Sequence, residues 1–169
     1  MNKTLSSIIV VLILMLASIS CKKTDSEPSN NSTPTSNSTA AISYNDGTSV
    51  SVDSAQAVLY TAGGGVIQRE IDIYAFKGGK QVLEFHFQPK TGSQPVAQNF
   101  ASAWLTYLTN NMANYPEDYY NCKSGNFNLT TCDTVANKII GTFDFIGNNG
   151  TIDKSITAGK INISKIKRN

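Results

Sequence analysis

The sequence predicts an all-β fold, either an antiparallel β-sandwich or an open barrel, preceded by a signal peptide and a disordered tether. From residue 41 to residue 169, apolar and polar residues alternate with a period of two, which is typical of half-buried strands. Clusters of Gly, Asn and Asp separate the alternating stretches at short intervals. This region is long enough to build one two-layer core.

Two of the predicted strands, Val66–Phe76 and Val82–Gln88, flank the sequence Lys77-Gly78-Gly79-Lys80. A two-residue Gly78-Gly79 turn would set the apolar face of one strand against the polar face of the other. We therefore expect a three-residue loop with a left-handed glycine and a register shifted by one. The other predicted strands are Ile42–Tyr44, Ser49–Val52, Ala57–Thr61, Asn126–Thr131, Lys138–Ile146 and Lys160–Lys165.

The stretch 97–112 fits two structures. Its apolar residues lie on one face of a helix, but residues 101, 103, 105 and 107 also alternate as in a strand. Local propensity favours neither structure. Further along, Lys123-Ser124-Gly125 predicts a tight turn before the strand at Asn126.

The overall charge excludes several protein classes. The chain has 169 residues, a formal net charge of +2 and only 15% charged residues. Coiled coils and charged disordered chains carry more charge than this. A nucleic-acid partner is not expected, because phosphate binding needs a clustered basic surface.

Residues 1–20 have the features of a lipoprotein signal peptide. Lys3 precedes the apolar run Ile8–Ala17, which is shorter than the ~20 residues that a membrane span needs. Small residues then lead to Ser20 and Cys21, which resembles a bacterial lipobox cleaved before the cysteine. Lipidated Cys21 would attach the mature chain to the membrane, whereas plain secretion with an incidental Cys21 is the alternative.

Residues 21–40 are predicted to be a disordered tether. They are mostly Ser, Thr, Asn and Pro, which cannot bury enough apolar surface to fold. Such a coil reaches on the order of 20–25 Å. Lys22-Lys23 after the cysteine resembles lipoproteins of the Bacteroidota, which implies the outer membrane of the cell envelope. Display on the periplasmic or the external side stays open.

The stretches 125–133 and 138–145 resemble a signature of one Bacteroidota lipoprotein family, known only as a domain of unknown function (number 6252 in that series). The signature combines a glycine-led strand, a short turn and an Ile-x-Gly-Thr-Phe-x-Phe strand. The resemblance implies an all-β domain with a strand at Ala101–Tyr107, and it implies no activity. Within the signature we expect Phe143 and Phe145 to fill the core and Gly141 to admit a bulky neighbour.

Cys122 and Cys132 are disulfide candidates, because a secreted chain lies in an oxidising compartment. A tight hairpin around Ser124 would separate them by about 20 Å, at ~3.3 Å per residue. A disulfide needs Cα atoms within about 7 Å, so the bond would require a looped-out segment.

The remaining candidate residues are polar or aromatic. His86 lies on a polar strand face, and the shifted register would place it near Asp72 or Glu70, whose charge favours imidazolium. We expect a solvated surface ion pair there rather than a metal site. Aromatic residues that could face a ligand, or else pack in the core, are Trp104, Tyr107, Tyr115, Tyr119 and Tyr120; Ser54 and Thr134 lie in motifs that resemble Bacteroidota O-glycosylation sites.

No motif of catalysis, cofactor binding or metal binding is recognised in the sequence. The expected function is therefore a lipid-anchored binding module of the cell envelope that engages a glycan or a protein. A passive structural lipoprotein is the alternative, and an enzyme is the least favoured class.

Overall fold

The computed structural model describes residues 40–61, 69–97 and 103–169. The predicted signal peptide, Cys21 and the predicted tether up to residue 39 lie outside the described residues.

Eleven strands form within the described part of the chain, and they confirm the predicted all-β class. A short 3-10 turn at Asn110–Met112 is the helical element of this part. The strands are β1 Ala40–Asn45, β2 Ser49–Ser51, β3 Ser54–Tyr60, β4 Glu70–Lys77, β5 Lys80–Phe87, β6 Gly92–Pro95, β7 Ala103–Leu108, β8 Tyr119–Asp133, β9 Lys138–Asn148, β10 Asp153–Ile163 and β11 Ile166–Arg168.

The strands make one strongly curled, open sheet. The strand order is β11-β3-β4-β5-β7-β8-β9-β10-β1-β2, and β6 pairs with β8 beside this path. All pairs of strands are antiparallel except β11 and β3. This half-barrel is consistent with the predicted all-β sandwich or open barrel.

The concave side of the sheet holds an aromatic core. The ring of Phe85 on β5 lies 4.9 Å from that of Phe143 on β9, edge to face, and 5.8 Å from that of Phe127 on β8. Because β5 and β9 are not neighbours in the sheet, the curl is what brings these rings together. The expected core position of Phe143 and Phe145 is confirmed, since each is 2% exposed.

Three glycines allow large side chains to lie across neighbouring strands. Gly125, Gly141 and Gly159 pair with Phe145, Leu129 and Phe143 respectively. A Cβ atom at Gly141 would lie 2.8 Å from Leu129 Cδ2, and one at Gly159 would lie 2.6 Å from the Phe143 ring. The bulky neighbour expected at Gly141 is therefore present.

The β4–β5 hairpin corrects one prediction. Lys77 pairs with Lys80, so the loop has two residues rather than three. Gly78 and Gly79 have φ values of 58° and 73°, as a type I′ turn requires. A bulge at Val82 supplies the register shift instead, so the apolar faces match as expected.

Strand β8 corrects a second prediction, because no turn forms at Lys123-Ser124-Gly125. The chain continues through this segment in one 15-residue strand that contains a bulge between Cys122 and Ser124. Gly125 is needed there for close packing, since a Cβ atom would lie 2.6 Å from Phe145 Cα. The glycine that suggested a turn is in fact a packing position.

The predicted disulfide is also wrong, and both cysteines are free thiols. Cys122 and Cys132 lie on the same strand, ten positions apart, which at ~3.3 Å per residue is about 33 Å. Cys122 is buried in the core, and burial raises the pKa of its thiol.

The other predicted strands are present with shifted ends. β4 begins at Glu70, and residues 66–68 of the predicted strand lie outside the described part. The ambiguous stretch 97–112 contains a strand, β7, as the family resemblance implied, although residues 98–102 are not described. Strands β6 and β11 and the first half of β8 were not predicted. They are short or polar segments without clear alternation.

Replacing Gly159 with Ala tests the role of the glycines. Because its Cβ atom would meet the Phe143 ring, we expect Gly159→Ala to lower the free energy of unfolding by about 2–3 kcal/mol. The control is Ser155→Ala on the same strand, where the side chain is exposed, and we expect a change within about 0.5 kcal/mol. Urea denaturation measures both. Equal stability of the two variants would contradict the packing role.

Candidate functional site

The convex side of strands β4, β5 and β7 carries a cluster of polar and aromatic side chains. Asp72 on β4 pairs with His86 on β5, which in turn pairs with Trp104 on β7. Because strand side chains alternate, these three residues face away from the aromatic core. Glu84 lies on the same face two positions before His86. We call Asp72, Glu84, His86 and Trp104 the outer-face cluster.

His86 is held between two carboxylates. Its Nδ1 lies 2.7 Å from Asp72 Oδ1, and its Nε2 lies 2.9 Å from Glu84 Oε1. The expected ion pair is therefore present with Asp72, but the predicted solvation is wrong. The Asp72 side chain is only 8% exposed and that of His86 only 22%.

The two carboxylates keep the imidazole charged. Burial alone would lower the pKa of His86, but hydrogen bonds and charge from Asp72 and Glu84 outweigh burial and raise it to about 9. At neutral pH, His86 is thus an imidazolium that donates hydrogen bonds from both nitrogens.

Neighbouring groups fix the geometry of His86 and its two carboxylates, which we call the triad. The Tyr74 hydroxyl donates a hydrogen bond of 3.1 Å to Asp72 Oδ2, and the Gln81 amide donates one of 3.2 Å to Glu84 Oε2. The Trp104 ring lies 4.7 Å from the His86 ring, with an angle of 31° between the planes. A cation that faces an indole ring is attracted to its π electrons, so Trp104 also favours the charged imidazole.

The arrangement limits the chemistry that His86 can perform. Neither ring nitrogen is available as a general base or a metal ligand, because each already donates to a carboxylate. Asp72 and Glu84 bind opposite sides of the ring, so they do not converge on one point. Within residues 40–61, 69–97 and 103–169, no group of three His, Cys, Asp or Glu side chains is arranged to hold a metal ion. What the cluster offers is a fixed indole beside hydrogen-bonding carboxylates.

The five predicted ligand-facing aromatics do not share one surface. Tyr107 and Tyr120 lie on the concave side and are 6% and 7% exposed, so their prediction as ligand-facing is wrong. The Tyr107 hydroxyl donates a hydrogen bond of 2.6 Å to Asp46 Oδ2. Lys154 Nζ lies 4.9 Å from the centre of the Tyr107 ring.

Of the other three aromatics, Tyr115 is exposed, whereas Trp104 and Tyr119 are partly buried. Trp104 belongs to the outer-face cluster. Tyr119 pairs with Leu108 at the end of β7, and its ring lies 5.7 Å from that of Tyr115. Tyr115 is 71% exposed in the loop between β7 and β8. Trp104 and Tyr119 lie on the same side of the sheet, and the residues of β7 between them on that side, Thr106 and Leu108, are buried.

The remaining predicted sites are peripheral. Ser54 begins β3, and Thr134 lies in the turn between β8 and β9. The Thr134 hydroxyl accepts a hydrogen bond of 3.2 Å from Arg69. O-glycosylation at either position stays a prediction. Ser20 and Cys21 lie outside the described residues.

Part of the cluster could be found from the sequence. Matching of the apolar faces of β4 and β5 predicts Asp72 or Glu70 as the neighbour of His86, and the structure pairs His86 with Asp72. The contact with Trp104 was missed, since nothing local indicates that β7 pairs with β5. Tyr74 and Glu84 were read only as members of a polar strand face.

Comparisons with protein-family models, curated proteins and solved structures find no match to this chain. In the described part of the chain, no helix is long and apolar enough to span a membrane.

The raised pKa of His86 predicts how stability depends on pH. The folded pKa of about 9 lies above the ordinary histidine pKa of 6.5, so the ion pairs of His86 stabilise the fold fully below pH 6.5 and lose their effect as pH rises toward 9. After allowance for partial exposure, the loss is about 2 kcal/mol. Urea denaturation across this range measures it. We expect His86→Gln to remove the pH-dependent loss, and an equal loss in this variant would contradict the assignment.

Proposed function

We propose that this chain is a binding module of the cell envelope that engages a glycan or protein ligand through the convex face of β4, β5 and β7. The outer-face cluster is the observation that carries this proposal. Charged groups on the solvent side of a sheet are usually mobile and hydrated, whereas here two carboxylates, an imidazolium and an indole are fixed against one another. A rigid polar surface with an aromatic ring costs little entropy to order on binding.

A glycan fits this chemistry best. The hydroxyl groups of a sugar can donate hydrogen bonds to carboxylate oxygens such as those of Glu84, whose side chain is 20% exposed. The apolar face of a sugar ring packs on an indole, and Trp104 provides one beside the carboxylates. Tyr119 and Tyr115 offer further aromatic contacts along the same face. A protein ligand would use the same groups, since Trp and Tyr are enriched at binding hot spots.

The cluster gives less support to catalysis. A general acid or base works best with a pKa near the operating pH and a free position toward substrate. His86 has neither, because its pKa is about 9 and both nitrogens are engaged. We therefore propose binding rather than an enzymatic reaction. A passive structural role is the alternative.

We also propose that the chain belongs to the lipoprotein family that its signature resembles. The two signature segments coincide with β8 and β9, and their glycines Gly125 and Gly141 occupy packing positions that no other residue fits. A lipid on Cys21 would attach the domain to the outer membrane, on the periplasmic or the external side.

Trp104→Ala tests the binding surface. The wild-type chain is first screened on a glycan array and in pull-downs, and calorimetry then measures the affinity of the best hit. We expect Trp104→Ala to weaken that affinity by about tenfold or more, because a buried contact on the indole is lost. The control is Val135→Ala, which truncates an apolar side chain that is 87% exposed in a remote turn. Unchanged affinity in Trp104→Ala would contradict this site, and the lack of any reproducible hit would favour the passive role.

Cys21→Ala tests the anchor. Because the lipid would be attached to the Cys21 thiol, we expect this variant to move from the membrane fraction to the soluble fraction. Lys22→Ala is the control, since it changes the neighbouring residue and keeps the thiol. Fractionation of cells followed by immunoblotting measures both. A Cys21→Ala protein that still sediments with membranes would contradict the anchor.

A further inference from the structure

The exposed charges of the domain are distributed unequally between the two ends of the sheet. One end contains the beginnings of β4 and β9 and the ends of β5, β10 and β11, and we call it the basic end. Its two acidic residues are Glu70 and Asp133. Its six basic residues, all exposed, are Arg69, Lys90, Lys138, Lys165, Lys167 and Arg168.

The opposite end shows no such excess. Its basic residues Lys77, Lys80, Lys123 and Lys154 are outnumbered by Asp46, Asp53, Glu117, Asp118 and Asp153. Several of these charges are also paired locally. Lys123 Nζ lies 2.7 Å from Asp153 Oδ2, and Lys154 Nζ lies over the Tyr107 ring. The basic end thus carries a formal excess of four positive charges, whereas the opposite end carries an excess of one negative charge.

Two of the basic side chains are held in place. Arg69 donates a hydrogen bond to the Thr134 hydroxyl, and Arg168 donates one to the Thr134 carbonyl oxygen. The turn between β8 and β9 is therefore fixed to β11 and to the start of β4. These hydrogen bonds hold two positive charges at fixed positions on the basic end. Lys138, Lys165 and Lys167 add further positive charge around them.

The chain also enters the folded domain at this end. Strand β1 begins at Ala40, which pairs with Ile163 at the end of β10. Residues 21–39 would connect Ala40 to a lipid on Cys21, and a flexible coil of that length reaches on the order of 25 Å.

We infer that the basic end docks on a membrane surface through the anionic phosphates of lipid headgroups. This inference rests on the proposed lipid anchor, which would bring the domain close to a membrane. The attraction between the basic end and anionic lipids can be tested without the lipid anchor. Each Lys or Arg near an anionic surface strengthens attachment by about fivefold, and salt screens this attraction. Docking would point the loop that carries Tyr115 away from the membrane and leave the convex face accessible.

The test uses the chain from residue 21 with Cys21→Ala, which keeps every described strand and carries no lipid. Flotation measures its binding to vesicles of phosphatidylcholine, with or without phosphatidylglycerol, at low and high salt. We expect binding only to the anionic vesicles and a decrease with salt. Binding that is equal on both vesicle types, or absent from both, would overturn the inference.

A matched pair of variants locates the contact. The triple variant Lys138→Gln, Lys165→Gln and Lys167→Gln removes three charges from the basic end and leaves both arginines in place. We expect its affinity for anionic vesicles to fall on the order of 100-fold. The control, Lys77→Gln, Lys80→Gln and Lys123→Gln, removes the same charge from the opposite end and should change affinity by about twofold or less.

Equal losses in the two triple variants would show that net charge alone drives binding, and would overturn docking through the basic end. Circular dichroism on both variants checks that the sheet is intact. Failure here is distinguishable from failure of the proposed function, because Trp104→Ala reports on the convex face and Cys21→Ala reports on the lipid.

Discussion

The close approach of large side chains to three glycines is the constraint on which this structure depends. Gly125, Gly141 and Gly159 lie on three adjacent strands, and each is covered by a bulky residue of a neighbouring strand. A side chain at these positions would push the strands apart, whereas glycine lets the sheet coil tightly. The coil brings Phe85 against Phe143 and Phe127, so one continuous sheet encloses its own core.

The same curl determines what the outer surface can be. Once the concave side is filled by aromatic and aliphatic residues, the alternate residues of β4, β5 and β7 must face outward. In most sheets that face is loosely hydrated, but here His86 joins Asp72 and Glu84 into an ordered triad beside Trp104. These charged side chains are held in place by hydrogen bonds with one another, which is the physical basis for proposing a binding surface. The charges at the two ends of the sheet differ as well, and the proposed docking on a membrane rests on this difference.

Sequence reasoning recovered the local parts of this structure. Alternation identified most strands, and matching of apolar faces placed His86 near Asp72 or Glu70, of which Asp72 is the partner in the structure. Sequence reasoning failed where the role of a residue depends on contacts with residues far away in the sequence. Gly125 was interpreted as part of a turn because its packing against Phe145 on β9 has no local signal. The disulfide between Cys122 and Cys132 was expected from the oxidising compartment, and the distance between the two thiols follows from the continuity of β8. The sequence left Tyr107 and Tyr120 open between a ligand-facing and a core position, and the structure places both in the core.

His86 on the convex face is a largely buried imidazolium that two carboxylates hold in place. Because the chain has a single histidine, its imidazole signals in an NMR pH titration are unambiguous. The account predicts a midpoint near pH 9, with both nitrogens protonated at neutral pH. A midpoint near 6.5, the value of a solvated histidine, would contradict it.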